Sequence, residues 1–366
     1  MSNMDNQSRD RLTGKKTTPE QLAAWCKKAM LKYGLTESDA AIAMDVFISA
    51  DTRGVFSHGT RQICNLMKNV KDGRINPKAG PLKVTDHLSV AVIDGQNAMP
   101  TTIAVEGMKL AVAKAKKTGM GYVGVRNSNH IGALSYYSLM AAKEGLIGVA
   151  MTNTDPWMTV PGGKGPIIGT NPISYAIPTG TERPIFLDIA TSSVAVTRIL
   201  SLKALGKKLP EKWLVNEDGA PTDDPEGFPE KGALLPMAMH KGYGLPLLVE
   251  TLSAVLSGSA FLSGVNSWIN DDPKPVNQGQ SFIALDVASI LPKEEFFQRM
   301  REMTDEIRNA PKAANAEGIL LPGDMEHDKR EKTLSEGLFL PDYVLVNLIK
   351  LAEDTEDIEN FFALFS

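Results

Sequence analysis

Apolar positions in this chain recur first at helical spacing. Leu22, Trp25, Ala29 and Met30 mark one face of a helix opened by Thr18-Pro19-Glu20-Gln21, with Thr as N-cap, Pro at the first position and Gln at the third. Gly34 stops it. Thr36 and Asp39 open a second helix through Ala43, Val46 and Phe47. Ser57-His58-Gly59 interrupts the pattern, and a third helix with Ile63, Leu66, Met67 and Val70 on one face runs to Gly73 and Asn76-Pro77. The period then drops to two: Leu82–Asp86 and Ser89–Asp94 predict a hairpin. Thr101–Thr118, rich in Ala and Lys, predicts a helix, Tyr122–Val125 a short buried strand, Ala133–Glu144 a helix and Leu146–Thr152 a strand. Pro172–Pro178 and Pro184–Ile189 predict two more strands. Gly206 to Pro236, with its Gly, Pro, Asp and Lys, predicts a long excursion. Leu245–Leu256, apolar almost all round, predicts a buried helix. Ser281–Val287 predicts a strand, Pro292–Arg308 an amphipathic helix, Gly323 the start of a loop, and Pro341 to Ala352 a last helix. Helix and strand alternate, which argues an α/β class.

Composition adds bounds. The chain has 366 residues, 43% apolar and 22% charged, enough for one large or two ordinary domains. A net charge of −4 without a basic block argues against nucleic acid as a partner. No apolar run approaches membrane-spanning length, so no membrane partner is expected. The first sixteen residues, MSNMDNQSRDRLTGKK, lack the apolar core of a signal peptide, so the expected location is cytoplasmic. Cys26 and Cys64 stand apart and read as small packing residues, with neither a disulfide framework nor a metal site indicated.

Gly119-Met120-Gly121-Tyr122-Val123-Gly124 fits the dinucleotide fingerprint G-x-G-x-x-G letter for letter. That motif must follow a strand and open a helix, whose N-terminus then faces the pyrophosphate. Here the order is reversed, helix before and strand after. A helix stop followed by a tight turn is the better reading, and any dinucleotide is bound without a Rossmann turn.

The histidines carry more. His87 falls in the hairpin turn and reads as solvated. His327 lies among Asp324, Glu326 and Asp328 and predicts a surface loop. His58, His130 and His240 instead stand in glycine-containing breaks: Ser57-His58-Gly59, Asn129-His130-Ile131-Gly132 and His240-Lys241-Gly242. Glycine lets backbone approach a ligand, and histidine exchanges a proton near neutral pH. Reducing a carbonyl requires a proton donor at oxygen and a group to orient that donor. Asp188, ending the apolar run Ile185-Phe186-Leu187, is the candidate orienting carboxylate, with a helix cap as its structural alternative. The loops Pro161-Gly162-Gly163-Lys164-Gly165 and Gly169-Thr170-Asn171-Pro172 offer backbone donors of a generic kind.

Taken in chain order, several segments resemble the malate/L-lactate dehydrogenase-like family, the group distinct from the Rossmann-fold enzymes of those names. They are Ser57-His58-Gly59 with Gly73-Arg74-Ile75-Asn76-Pro77, Asn127-Ser128-Asn129-His130-Ile131-Gly132-Ala133, Thr152-Asn153-Thr154, and Gly169-Thr170-Asn171-Pro172. Leu187-Asp188-Ile189-Ala190-Thr191-Ser192, His240-Lys241-Gly242-Tyr243-Gly244 and Leu321-Pro322-Gly323-Asp324 complete the set. The resemblance runs from Leu22 to about Ala352. It implies a non-Rossmann NAD(P)-binding fold: a mixed sheet with flanking helices, plus a helical part drawn from both chain ends. The division it suggests is 18–80 with 288–366 as the helical domain and 81–287 as the NAD(P)-binding domain, in a homodimer.

The implied chemistry is hydride transfer between NAD or NADP and a small 2-oxo or 2-hydroxy acid carboxylate. His58 is the implied proton donor, with Ser57 beside it and Asp188 behind. Implied cofactor contacts are His130, Ile131, Gly132, Ala133 and Leu134; Asp188, Ile189 and Ala190; His240 and Lys241; and Pro322, Gly323 and Asp324. Thr170 matches a position near the substrate. Many relatives carry an arginine five residues after the motif serine, where it can grip a carboxylate with two prongs. Here Gln62 stands there, with Arg61 one place earlier and about 100° away on an α-helix. Either Arg53 or Arg198 holds the carboxylate, or the substrate is not a plain 2-oxo acid; a cyclic ketimine and a non-catalytic nucleotide-binding relative are the alternatives. A serine hydrolase on Ser57 and His58 is disfavoured, because neighbours in sequence rarely face each other and no G-x-S-x-G elbow surrounds Ser57.

Overall fold

A computed structural model describes residues 14–365 of the chain. Its first helices follow the caps written in the sequence. Thr18 accepts from the Gln21 N–H while the Gln21 side chain returns to the Thr18 N–H, opening α1 (Pro19–Lys32). Thr36 accepts from the Asp39 N–H and opens α2 (Glu37–Thr52). After two short 3-10 turns comes α3 (Ile63–Lys71), which buries Ile63, Leu66 and Met67. The chain ends meet: β1 (Lys15–Thr17) pairs antiparallel with β14 (Leu338–Leu340), and α10 (Asp342–Asp354) packs on α3.

The main sheet has seven strands, in the order β2-β3-β4-β13-β5-β8-β9. They are β2 (Leu82–Asp86), β3 (Val90–Asp94), β4 (Met120–Ser128), β5 (Leu146–Thr152), β8 (Ile173–Ile177), β9 (Ile185–Ile189) and β13 (Gln278–Asp286). Only β3 and β4 run parallel within it, so the sheet is mixed. The crossover between them is α4 (Pro100–Thr118), which ends at Gly119 with φ of 86° before β4 begins. The fingerprint-like glycines therefore do stop a helix and enter a strand. Helix α5 (Ser135–Lys143) covers β5 and β8, and α4 covers β4 and β13.

Three regions depart from the sequence reading. The excursion from Gly206 to Pro236 contributes to a second sheet of order β11-β10-β12-β6-β7, built from β6 (Pro156–Met158), β7 (Ile168–Gly169), β10 (Leu214–Val215), β11 (Pro221–Thr222) and β12 (Ala233–Leu234). With α6 (Val196–Ala204) it packs a small core of Met158, Ile168, Ile199, Leu209, Leu214, Phe228 and Leu234. Strands of two or three residues leave no alternation to read. The expected buried helix is α7 (Met239–Glu250), continued as a wider turn through Val255; it buries Val249 and Ala254 but leaves Leu245, Leu247, Leu248, Val255 and Leu256 exposed. An all-round apolar pattern here means two faces, one inward and one outward. Third, the loop expected after Gly323 is a helix, α9 (Asp324–Glu336), following α8 (Lys293–Arg308). Its stripe is polar, so it carries no apolar periodicity. His327, expected on a surface loop, is buried in it: Nε2 lies 2.9 Å from the Pro184 carbonyl and the ring meets Phe186 edge-on. The last short helix is α11 (Ile358–Ala363).

Candidate active site

His58 ends the tight turn Phe56–His58 that leaves α2, and Gly59 follows it. A Cβ on Gly59 would lie 1.7 Å from Asp51 Oδ1, so only glycine lets the turn close on α2. Asp51 is fully buried and accepts from the Thr60 N–H at 3.1 Å and the Thr60 hydroxyl at 2.6 Å. Its other oxygen has no partner, and burial pushes the carboxyl up to about 7 despite the two Thr60 bonds.

Ser57 Oγ lies 2.8 Å from His58 Nδ1. The neighbours do face each other, contrary to expectation, because a 3-10 turn and not an extended strand joins them. Nε2 of His58 is thereby left as the nitrogen available to a ligand. Gln62 donates its amide N–H to the Ser57 carbonyl. It braces the turn, so that donor is not free for a substrate.

The second histidine arrives from β4. The His130 N–H donates to Asn129 Oδ1 at 2.7 Å, and His130 Nδ1 accepts from the Gly132 N–H at 3.3 Å, which puts the ring proton of the neutral form on Nε2. Gly132, with φ of 76°, sits against Val46 and the His58 carbonyl, and a Cβ there would meet them at 3.0 and 3.5 Å. The imidazoles of His58 and His130 stack at 5.6 Å with 25° between planes. Burial, then the neighbouring His58, holds His130 well below the usual histidine range. Ile131, Ala133 and Leu134 are buried, the Ile131 carbonyl taking the Tyr137 hydroxyl at 2.6 Å, and Leu134 leads into α5.

Asp188, near the end of β9, accepts from the Ser135 N–H at 2.7 Å, where α5 begins. Asp188 therefore caps α5, an earlier helix and not the next one in the chain, and no hydrogen bond joins it to His58 among the described residues. Burial raises its pKa, with the Ser135 bond and His58 working against that shift. Burial likewise lowers His58, and the charge of Asp188 opposes the fall while Arg61 adds to it. The pair is arranged so that a proton gained by the imidazole is met by a carboxylate charge.

Other expected residues are distributed around this centre. Ile189 is half-buried and Ala190 exposed, so the strand end is open. The Thr170 N–H donates to Thr154 Oγ1 at 3.0 Å and its carbonyl accepts from Thr191, while its hydroxyl has no partner among the described residues. Pro322 accepts from the Phe186 N–H, Gly323 takes φ of 95°, and the Asp324 carboxylate is held by Arg308 at 2.9 Å and the Leu321 N–H at 2.8 Å. His240 and Lys241 are exposed in the first turn of α7, not in a break, and no ring contact joins His240 to the other two histidines among the described residues. The preceding residue pair ties them nearby: the Met237 N–H donates to the Thr191 carbonyl at 2.9 Å.

Neither arginine expected to hold a carboxylate makes a hydrogen bond to His58 among the described residues, although Arg53 Nε is buried without a partner. Arg53 is buried, donates to the Ser49 carbonyl and hydroxyl at 2.9 and 2.6 Å, and is lowered to about 10 by burial and then Arg330. Arg198 lies 5.2 Å over the Trp213 ring on the small sheet's helix. Arg61 lies 5.5 Å over Tyr343 and forms no ion pair among the described residues.

Sequence reasoning missed three residues here. Glu250, buried in α7, accepts from Asn153, Asn171 and the Leu262 N–H, so Thr152-Asn153-Thr154 and Gly169-Thr170-Asn171-Pro172 are clamped around one carboxylate. Asp51 reads as an ordinary polar helix position. Trp268 stacks on His130 at 4.1 Å and 18°, from a loop with no periodic signal.

The sequence profile described as malate/L-lactate dehydrogenase matches residues 17–349. A malate dehydrogenase of Pyrococcus abyssi is 37% identical over 340 residues, 91% of this chain and 93% of that one. The L-sulfolactate dehydrogenase of Methanocaldococcus jannaschii is 39% identical over 319 residues, 87% of this chain and 91% of that one. A solved structure under the same enzyme name and organism superposes with a TM-score of 0.87 at 36% identity, covering 94% of this chain and 99% of that chain. A Δ1-pyrroline-2-carboxylate/Δ1-piperideine-2-carboxylate reductase of Pseudomonas putida is 31% identical over 327 residues, 87% of this chain and 92% of that one.

Proposed function

The chain belongs to the malate/L-lactate dehydrogenase family, and from that premise we propose that His58, Ser57 and Asp188 handle the proton of its reaction. The protein is an NAD(P)-dependent oxidoreductase of small 2-oxo and 2-hydroxy acids. NAD(P)H, when bound, supplies the hydride. The residues present fit that ligand: an open strand end at Ile189-Ala190, a free Thr170 hydroxyl, and an exposed Lys241 without an ion pair among the described residues. His130 to Leu134, Asp188 to Ala190, His240-Lys241 and Pro322-Gly323-Asp324 are the proposed cofactor contacts. Asp324 contributes through its backbone, since Arg308 and Leu321 occupy its carboxylate.

In the reductive direction His58 Nε2–H donates to the substrate oxygen as the hydride reaches carbon. Ser57 fixes the ring through Nδ1, and Asp188 stabilises the imidazolium that precedes donation. Thr170 orients the substrate. The carboxylate falls to Arg61, a half-buried cation whose charge acts on His58, with Arg53, whose buried Nε has no partner, as the other candidate. The observation that carries this reading is the contact of Ser57 with His58, on which the charge of the half-buried Asp188 acts. Gln62, bound to the Ser57 carbonyl in place of an arginine, favours a second reading, reduction of a cyclic ketimine at the same site.

Absorbance of NADH and NADPH followed separately against a panel of 2-oxo acids and cyclic imines distinguishes the two and selects the cofactor. His58→Ala is expected to lower kcat by about 10²–10⁴-fold on the best substrate; near wild-type turnover would defeat the assignment.

A homodimer is proposed on the outward apolar face of α7, where Leu245, Leu247 and Leu248 stand exposed. The division into 18–80 with 288–366 and 81–287 is proposed too, supported by the packing of α10 on α3. A cytoplasmic location accords with two buried, unpaired cysteines.

A further inference from the structure

Arg74 lies just beyond the C-terminal end of α3 and is 2% exposed. Its three guanidinium nitrogens each donate to a carbonyl: Nε to Lys274 at 3.0 Å, Nη1 to Asn270 at 3.1 Å, and Nη2 to Ser267. All three acceptors belong to one strap between Val265 and Val276. Asn266 closes its ends, donating its N–H to the Val276 carbonyl at 3.0 Å and its amide to the Pro275 carbonyl at 2.6 Å. From α3 itself, Asn69 Nδ2 donates to the Trp268 carbonyl at 2.9 Å. A strap of irregular backbone is thus pinned by buried donors to the helix that follows the His58 turn.

The pinned strap aims one side chain at the site. Trp268 lies nearly parallel on His130 at 4.1 Å, and His130 lies nearly parallel beside His58 at 5.6 Å. The strap's neighbouring residues, Ser267, Ile269 and Asn270, line a cavity of about 310 Å³ with Trp157 and Phe228 on the other side. Trp268 does not line that cavity but turns to the imidazoles instead. Without the indole, His130 would lose the plane it rests on.

We propose that Trp268 is a positioning residue for the imidazole pair, held flat on His130 by a strap that Arg74 latches to α3. The inference rests on His58 being the proton donor. It assigns to the Gly73-Arg74-Ile75-Asn76-Pro77 segment a part in the site that Arg74 plays at a distance. Arg74 supplies geometry, because a planar fork can meet three carbonyls from one position and an ammonium cannot do so in the same directions.

Three variants test it, with His58→Ala run in parallel. Trp268→Leu is expected to lower kcat roughly tenfold, with KM for the acid changed less than about threefold, since loss of alignment acts on the chemical step. Trp268→Phe keeps a flat ring and is expected to recover most of the rate. Arg74→Lys is expected to behave like Trp268→Leu, and to remove the ring-current shift of the His130 Cε1 proton although the tryptophan is still present. Wild-type kcat in Trp268→Leu overturns the proposal, as does a rise confined to KM, or an unmoved His130 resonance in Arg74→Lys. If Arg74→Lys does not fold, Trp268→Leu against Trp268→Phe still decides. An active His58→Ala would sink the reading beneath; an inactive His58→Ala with fully active Trp268→Leu would sink the latch alone.

Discussion

His58 and His240 each stand one or two residues before a glycine, yet the fold gives them opposite surroundings. The half-buried His58 turn is braced at four points: Asp51 beneath Gly59, Gln62 on the Ser57 carbonyl, Gly132 against the His58 carbonyl, and His130 on the ring. His240 sits in the first turn of α7, exposed, after Ala238 and Met239, which both take positive φ at 48° and 52°. In the first region the close contacts hold the proposed proton donor still. In the second, an open helix start with a strained entry offers itself to something outside the chain. The glycines themselves do not tell the two apart, since a Cβ would lie 1.7 Å from Asp51 Oδ1 at Gly59 and 1.7 Å from the Met237 carbonyl oxygen at Gly242; the exposure of the histidine does.

The sharpest way to break this comparison is to add a methyl group on each side. Gly59 has ordinary extended backbone angles, so strain in φ plays no part; a Cβ would collide with the Asp51 carboxylate. Gly59→Ala is expected to cost about 1–3 kcal/mol or more from overpacking and to remove most activity by displacing His58. On the His240 side Gly242 is equally tight against Met237, so the open position is Gly244, which has nothing within 4 Å of its Cβ position and lies inside α7. Gly244→Ala is expected to stabilise by about 0.5–1 kcal/mol. Thermal melts and kcat on the same samples check both; similar effects would mean that the two regions do not differ as described.

A second test uses the proton of Asp51. Its folded pKa is about 7, above the ordinary aspartate value of 3.8. The folded state therefore binds more protons than the unfolded state between those values. Stability from this group is full below the unfolded value and is lost as pH rises through about 7. Asp51→Asn removes that slope. The melting temperature of the variant relative to wild type is expected to climb between pH 5 and pH 8, by a few degrees at most. A difference that is flat or falls with pH would mean that the carboxylate is ionised in the fold throughout.

How much of this could be read from the chain follows from where each signal lies. The caps at Thr18 and Thr36 and the reversed glycine fingerprint at Gly119 are local, and local chemistry fixed them. Ser57, His58 and Asp188 were legible as residues of the right chemistry, and the resemblance ordered them. The contact of Ser57 with His58 was not, because it depends on a 3-10 turn set by Asp51 and Gly59. Trp268 was invisible for a related reason: an irregular strap has no period, and the donors that pin it, Asn69 and Arg74, lie far away in sequence. The helix α9 escaped because its buried groups, Asp324 and His327, are polar. Patterns of apolarity report what water avoids, and these elements are held by polar bonds instead.

The smallest expected effect probes the open side. Lys241 places a cation in the first turn of α7, where the helix already exposes its unpaired N–H groups and the positive end of its dipole. Nothing anionic balances it by an ion pair among the described residues, so the free protein bears an unrelieved repulsion that a phosphate would relieve. The tie from Met237 to Thr191 sets this turn beside the segment that follows Asp188. Lys241→Ala is expected to weaken NADH or NADPH binding by about five- to tenfold, close to 1 kcal/mol. Saturating cofactor should restore kcat to within about twofold, because the lysine acts on binding and His58 on the chemical step. The loss should also shrink as salt rises, since an exposed charge is screened over about 8–10 Å at moderate ionic strength. Fluorescence titration of the reduced cofactor at low and high salt measures all three. A lysine variant that binds cofactor normally but turns over slowly would move Lys241 into the group around His58 and erase the contrast between the two regions.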